Sequence, residues 1–158
     1  MKTCLLIDAY YLQEFISLGL MSRWEGTAKP CHTTLLAYDF VERSGMDVRS
    51  WVGPNRLAVH SCGAAELRDV ILLARKHGCS LHEASVEFMA HRLADACVAT
   101  RRSGKQVDFD WVLGTMERAA VLTKAEAIVL SRRWTSGDHD LHVLPDLKLH
   151  PTAHQSVS

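Results

Sequence analysis

The residues of this chain best suited to chemistry are four aspartates, each near the end or the start of a predicted structural element: Asp8, Asp108, Asp138 and Asp140. Asp8 directly follows an apolar run at residues 3–7, and Asp138 and Asp140 follow a second run at 127–130. Carboxylates that converge on one edge of a sheet repel each other unless a hard cation neutralises them, and oxygen ligands suit Mg²⁺ or Mn²⁺. Such ions activate water and clamp phosphoryl oxygens. The spacing therefore predicts metal-assisted hydrolysis of a phosphodiester bond.

Each of these acids also has an ordinary structural interpretation. Asp108 stands at the start of a strong helix pattern and would suit the N-cap, where a carboxylate accepts backbone N–H bonds. Asp138 and Asp140 stand beside Gly137, a composition typical of a turn. Asp8 differs from the others, because an acid at the end of a buried strand is costly to desolvate unless it has a partner. We therefore expect a functional role most strongly for Asp8.

The elements that must position these acids alternate along the chain between strand and helix patterns. Apolar runs at 3–7 and 127–130 predict buried parallel strands, and the alternating run 46–52 predicts another. Helices are predicted at 10–21, from Leu35 to Ser44-Gly45, at 66–77 before Gly78, and at 108–122. Residues 79–100 fit either a strand near 81–88 or a helix over 88–98. This alternation predicts an α/β fold with a mainly parallel central sheet, whose functional crevice lies beyond the carboxyl ends of the strands.

Length and composition are typical of a single globular domain. The chain has 158 residues, of which 47% are hydrophobic and 23% charged, a balance that excludes disorder throughout. We expect one domain over residues 1–144 and a polar, flexible tail over 145–158. The 18 basic and 18 acidic residues leave no formal net charge, so binding to nucleic acid would need a local basic patch.

The sequence also carries no sign of a membrane or secretory role. No apolar run approaches the ~20 residues of a transmembrane helix. Asp8 interrupts the apolar stretch that a signal peptide would need, and five cysteines at irregular spacing fit free thiols in a reducing compartment. We therefore expect a cytoplasmic protein without membrane contact.

Three segments, in chain order, carry a resemblance to a known family. Leu5-Leu6-Ile7-Asp8 before a helix resembles the opening of the NYN domain (LabA-like) of the PIN-like nuclease superfamily. Lys105-Gln106-Val107-Asp108-Phe109-Asp110 is similar to that family's Lys-x-Val-Asp motif. Ser136-Gly137-Asp138-His139-Asp140-Leu141 is similar to its Ser-Gly-Asp-x-Asp-Phe signature. Together the three segments bracket residues 4–141.

The resemblance implies a three-layer, PIN-like (Rossmann-like) α/β/α sandwich and a metal-dependent endoribonuclease that cuts single-stranded RNA. Under it, the catalytic and metal-binding residues for Mg²⁺ or Mn²⁺ would be Asp8, Asp108, Asp138 and Asp140. No small organic cofactor is expected. Asp110 lies two residues after Asp108, about 200° around a helix axis, and is left out of the site. Because PIN-like domains often dimerise, a homodimer is a further expectation.

Basic residues next to the acids are the candidate RNA contacts. They form two groups, one before Asp108 and one before Asp138, and the predicted nucleic-acid-binding residues are Arg101, Arg102, Lys105, Arg132 and Arg133. Trp134 adds an aromatic surface on which a base could stack. Small charge clusters are also common on solvated loops, which is the other interpretation.

Three alternatives stay open at this point. Ala9-Tyr10-Tyr11 and Gly114 stand where the family usually has an asparagine and an additional acid, which favours a catalytically degenerate NYN-type module that binds RNA or a protein without cutting. A phosphohydrolase for small molecules is disfavoured, since Asp8 is not followed by a second aspartate two positions on. A structural zinc site would draw on His60, Cys62, His77, Cys79 and His82, whose spacing matches no recognised zinc motif.

Overall fold

A computed structural model describes residues 1–101 and 106–136 of the chain, with side chains over 1–101 and 109–135. In chain order the elements of this described part are β1 (Cys4–Ile7), α1 (Ala9–Ser17), α2 (Leu20–Glu25), β2 (Cys31–Thr34), α3 (Leu35–Arg43), a short 3₁₀ helix (Arg49–Trp51), β3 (Leu57–His60), α4 (Ala64–His77), α5 (Leu81–Arg92), β4 (Ala96–Ala99), α6 (Gln106–Arg118) and α7 (Lys124–Ser136). None of the helices described is both long and apolar enough to cross a bilayer.

The four strands form one parallel sheet in the order β3-β2-β1-β4. Leu5 of β1 pairs with Cys31 of β2 on one side and with Cys97 of β4 on the other. All four residues of β1 are buried, which requires cover on both faces because successive strand side chains point to opposite faces. The protein is therefore a three-layer, Rossmann-like α/β sandwich, and the predicted α/β class with a mainly parallel sheet is confirmed.

Glycines end two of the helices where the sequence predicts. Gly45 follows α3 with φ of 94°, and Gly78 follows α4 with φ of 62°. These left-handed backbone conformations cost little only for glycine, because a Cβ would clash there. Gly19, with φ of 73°, has an effect that the sequence analysis did not predict: it divides the predicted helix 10–21 into α1 and α2.

The strand predicted at 127–130 is wrong, because this apolar run lies inside α7. A reciprocal capping box begins the helix. The backbone N–H of Glu126 donates to Thr123 Oγ1 at 3.1 Å, and the backbone N–H of Thr123 donates to Glu126 Oε1 at 2.9 Å. Four apolar residues in a row fit a buried helix as well as a buried strand, so the local caps decide.

The strand predicted at 46–52 is also wrong. Asp47 Oδ1 accepts a hydrogen bond from the backbone N–H of Ser50 at 3.3 Å and turns the chain into the 3₁₀ helix. The strand of this region, β3, comes several residues later. The strand β2 has no strand pattern in the sequence, because three of its four residues are polar: His32, Thr33 and Thr34.

Three helices meet at the ring of Tyr11, near the start of α1. The Tyr11 ring centroid lies 5.3 Å from that of Phe109 in α6 and 5.7 Å from that of Trp134 in α7. Phe15, one turn further along α1, stacks on Trp134 at 6.2 Å with 8° between the ring planes. All four rings are buried. The first turns of α6 and the last turn of α7 are thereby held against α1.

Candidate functional site

Asp8 lies at the carboxyl end of β1, as predicted, and is the N-cap of α1. Its Oδ1 accepts a hydrogen bond from the backbone N–H of Tyr11 at 2.8 Å, and its Oδ2 accepts one from the backbone N–H of Arg101 at 2.8 Å. The second bond joins the ends of two neighbouring strands, since Arg101 follows β4. Asp8 is only 1% exposed, so its carboxylate is a buried acid at the edge where Rossmann-like folds bind ligands.

Burial dominates the electrostatics of Asp8. The loss of water raises the pKa of the Asp8 carboxyl group above its ordinary value, and the hydrogen bonds from Tyr11 and Arg101 and the nearby Thr100 side chain offset this only in part. The negative charge of Glu83, in the first turn of α5, raises the pKa further. A cation at this edge would favour the ionised carboxylate, because it supplies the charge compensation that water cannot.

Two buried hydroxyl groups lie near the carboxyl edge of the sheet, where β2 ends beside β1. Thr34 ends β2 and caps α3, accepting a hydrogen bond from the backbone N–H of Ala37 at 3.1 Å. Its hydroxyl is 2.7 Å from that of Ser85 in α5, and both side chains are buried. Neither these hydroxyls nor Glu83 were among the site residues predicted from the sequence. A signal for Glu83 was present, since Ser80-x-x-Glu83 is a capping-box pattern that begins α5.

Asp108 lies in the first turn of α6, two residues after the helix begins at Gln106, so it is not the residue that precedes the helix. Its side chain lies outside the described atoms. The next residue, Phe109, is buried against Tyr11, which is three residues from Asp8. The backbone that carries Asp108 therefore lies close to the start of α1. Asp110, which the prediction left out of the site, is exposed.

Asp138 and Asp140 lie outside the described residues. What the structure does describe is the segment that leads to them, which is the end of α7 rather than the predicted strand. That end is anchored on α1 by a buried ion pair. Arg133 donates to both carboxylate oxygens of Glu14 at 2.6 Å each, and Trp134 Nε1 donates to Glu14 Oε1 at 3.2 Å.

The predicted RNA contacts differ in their exposure to solvent. Arg101 and Arg132 are exposed, and the Arg101 guanidinium lies 4.8 Å from the centroid of the Tyr10 ring. Arg133 is 1% exposed and bonded to Glu14, so its side chain does not reach the surface where RNA would bind. Trp134 is likewise buried and offers no free face to a base. Arg102 and Lys105 lie outside the described residues.

No group of three histidine, cysteine or carboxylate side chains that could hold a metal occurs within the described atoms. The described part thus contributes Asp8 alone among the predicted Mg²⁺ or Mn²⁺ ligands, because the other three side chains are not among those atoms. The alternative of a structural zinc site between His60 and His82 finds no such group in this part either.

These features define a class of protein: a Rossmann-like α/β sandwich with a buried acid at the carboxyl end of its first strand. Compared with protein-family models, with curated proteins and with solved structures, the chain matches none. The resemblance to the NYN domain therefore rests on the three sequence motifs alone.

Proposed function

We propose that this chain is a cytoplasmic, metal-dependent endoribonuclease that cuts single-stranded RNA at the carboxyl edge of the sheet. In this proposal Mg²⁺ or Mn²⁺ is held by Asp8 together with Asp108, Asp138 and Asp140. The observation that carries it is the contact of Phe109 and Trp134 with Tyr11, because it brings the segments leading to all four acids to one end of α1.

Chain length limits how far the undescribed acids lie from Asp8. A residue spans at most about 3.6 Å, so Asp138 lies within about 7 Å of Ser136 and within about 14 Å of Trp134, counted between Cα atoms. Trp134 touches Tyr11, and the backbone N–H of Tyr11 is bonded to Asp8. Asp138 and Asp140 therefore follow closely in the chain on a segment that packs against the first turn of α1, although a helix and not a strand precedes them.

The chemistry of Asp8 supports a cation site. A carboxylate has about four lone-pair positions; two of those of Asp8 accept backbone N–H bonds and the Thr100 side chain bonds to a third, which leaves one for a metal. In the proposed reaction the bound ions supply an activated water and stabilise the charge on the phosphoryl oxygens. Arg101 and Arg132, both exposed, would hold the RNA backbone on either side of the acids.

The test combines RNA cleavage with thermal unfolding in EDTA and in Mg²⁺ or Mn²⁺. A metal at ~100 times its dissociation constant should stabilise the wild type by about 2.7 kcal/mol, a rise in Tm of about 5–11 °C for a domain of this size. Asp8→Asn and Asp138→Asn should abolish both the shift and cleavage. Asp110→Asn is the matched control and should keep both. Cleavage by pure, folded Asp8→Asn at the wild-type rate would overturn the proposal.

A second candidate is a binding module that does not cut RNA. The observation that favours it is the double engagement of Asp8, whose two oxygens cap α1 and bind the end of β4, a complete structural role without metal. This function predicts binding of RNA or a protein that EDTA leaves unchanged. A metal-dependent thermal shift that disappears in Asp8→Asn would exclude it.

A further inference from the structure

Two histidines face each other on the neighbouring strands β2 and β3. In the register of β2 and β3, His32 pairs with Ala58 and Thr34 with His60, so the two imidazoles lie diagonally across one face of the strand pair. His32 Nδ1 is 2.8 Å from His60 Nε2, and the ring centroids are 4.9 Å apart. Both side chains are partly exposed. Strand pairing thus holds two facing imidazole nitrogens side by side on partly exposed side chains.

Neutral imidazole is the form that binds metals, and the surroundings favour it here. Partial burial and the neighbouring His60 together lower the pKa of His32 below its ordinary value. At neutral pH the pair shares a hydrogen bond, with one ring donating and the other accepting. The donor ring can also adopt its other tautomer, in which the proton sits on the nitrogen that faces away from the pair. Water can mediate this shift without net release of a proton. Both facing nitrogens then present lone pairs to a metal ion.

We propose that His32 and His60 together bind a divalent transition cation such as Zn²⁺, Cu²⁺ or Ni²⁺ between the ends of β2 and β3. This site is separate from the proposed nuclease site and does not depend on it. Imidazole ligands suit these ions and not Mg²⁺. Zn–N bonds of about 2.0–2.1 Å at a tetrahedral angle place two ligand nitrogens about 3.3 Å apart. The observed 2.8 Å therefore has to widen by about 0.5 Å, which side-chain rotation can supply.

Water would complete the coordination, because no third histidine, cysteine or carboxylate among the described side chains joins the pair in a metal-holding group. Two protein ligands with open positions make an exchangeable site rather than a closed structural one. The pair could not be predicted from the sequence, since 28 residues separate its members and only the strand register brings them together.

The test must first remove competition from His139, His142, His150 and His154, which lie outside the described residues. We therefore use the full chain with these four changed to glutamine as the background protein. Calorimetric titration of this background with Zn²⁺ should show one equivalent bound. Adding His32→Gln or His60→Gln should weaken binding at least tenfold, whereas adding His91→Gln, on the exposed side of α5, should not change it. Unchanged affinity in both His32→Gln and His60→Gln would overturn the proposal.

A second measurement covers the case in which these substitutions disturb folding. Cu²⁺ added to the background protein should give an electron paramagnetic resonance spectrum with hyperfine coupling to two equatorial nitrogens. A spectrum with one nitrogen or none would count against the paired site. Asp8→Asn in the same background should still bind Zn²⁺ with unchanged affinity. This result separates the histidine site from the proposed nuclease site, because failure of either leaves the other standing.

Discussion

The buried ion pair between Glu14 and Arg133 yields the most quantitative prediction. Glu14 and Arg133 side chains are 9% and 1% exposed, and their two hydrogen bonds are 2.6 Å long. Removing one partner takes a close compensating charge away from the other, which stays buried, and this costs about 3–5 kcal/mol. For a domain of this size the loss corresponds to a fall in Tm of about 6–20 °C. We therefore expect Glu14→Met to be among the most destabilising single changes in α1.

The double variant Glu14→Met/Arg133→Met should be more stable than Glu14→Met alone, although it carries one more substitution. It removes both charges together, and the Trp134 N–H loses its acceptor at a cost of about 1–3 kcal/mol. Urea unfolding at pH 7, followed by far-ultraviolet circular dichroism, measures the wild type, Glu14→Met, Arg133→Met and the double variant in a double-mutant cycle. Strictly additive losses in the double variant would refute the reasoning, since they would mean that the two side chains are not energetically coupled.

An exposed ion pair provides the control. Arg43 and Asp39 are one helical turn apart in α3, with side chains 80% and 43% exposed. Because water solvates both groups when the pair is broken, Asp39→Asn should cost only about 0.3–0.5 kcal/mol. The same change of charge thus has an effect several times smaller at the surface than in the interior.

Three further predictions concern stability. Burial raises the pKa of the Asp8 carboxyl group above its ordinary value of 3.8, so the folded state binds the proton more tightly than the unfolded state. In EDTA the wild type should therefore lose stability relative to Asp8→Asn as the pH rises above 3.8, and parallel urea profiles would contradict this. Gly26→Ala would place a Cβ 2.6 Å from Val121 Cγ1 and should cost about 1–3 kcal/mol, largely recovered when Val121→Ala is added, as urea midpoints would show. Burial alone would raise the pKa of the Glu126 carboxyl group, but hydrogen bonding from Arg23 lowers it on balance below its ordinary value of 4.5. The stability that the ionised carboxylate contributes above pH 4.5 should therefore be lost as the pH falls further. Glu126→Gln should flatten this dependence of stability on pH.

Local sequence determined the elements whose signals need no distant partner. The run before Asp8 is apolar at every position, and only a strand covered on both faces accommodates it, so both β1 and the place of Asp8 were predictable. Gly45 and Gly78 marked helix ends for an equally local reason, the low cost of a left-handed backbone at glycine. These features settled the α/β class and located the carboxyl edge.

Tertiary structure alone decided the features that depend on residues far apart in the chain. The polar strand β2 exists because β1 and β3 supply its hydrogen-bonding partners, and Thr33 donates to the carbonyl oxygen of Ile7 at 2.8 Å. Arg133 looks in the sequence like a surface cation, but Glu14, 119 residues away, binds it in the interior. The approach of His32 to His60 likewise follows from strand register. Sequence spacing does not predict such pairs, because the two residues of each pair come together only when the helices and strands of the whole domain pack and pair.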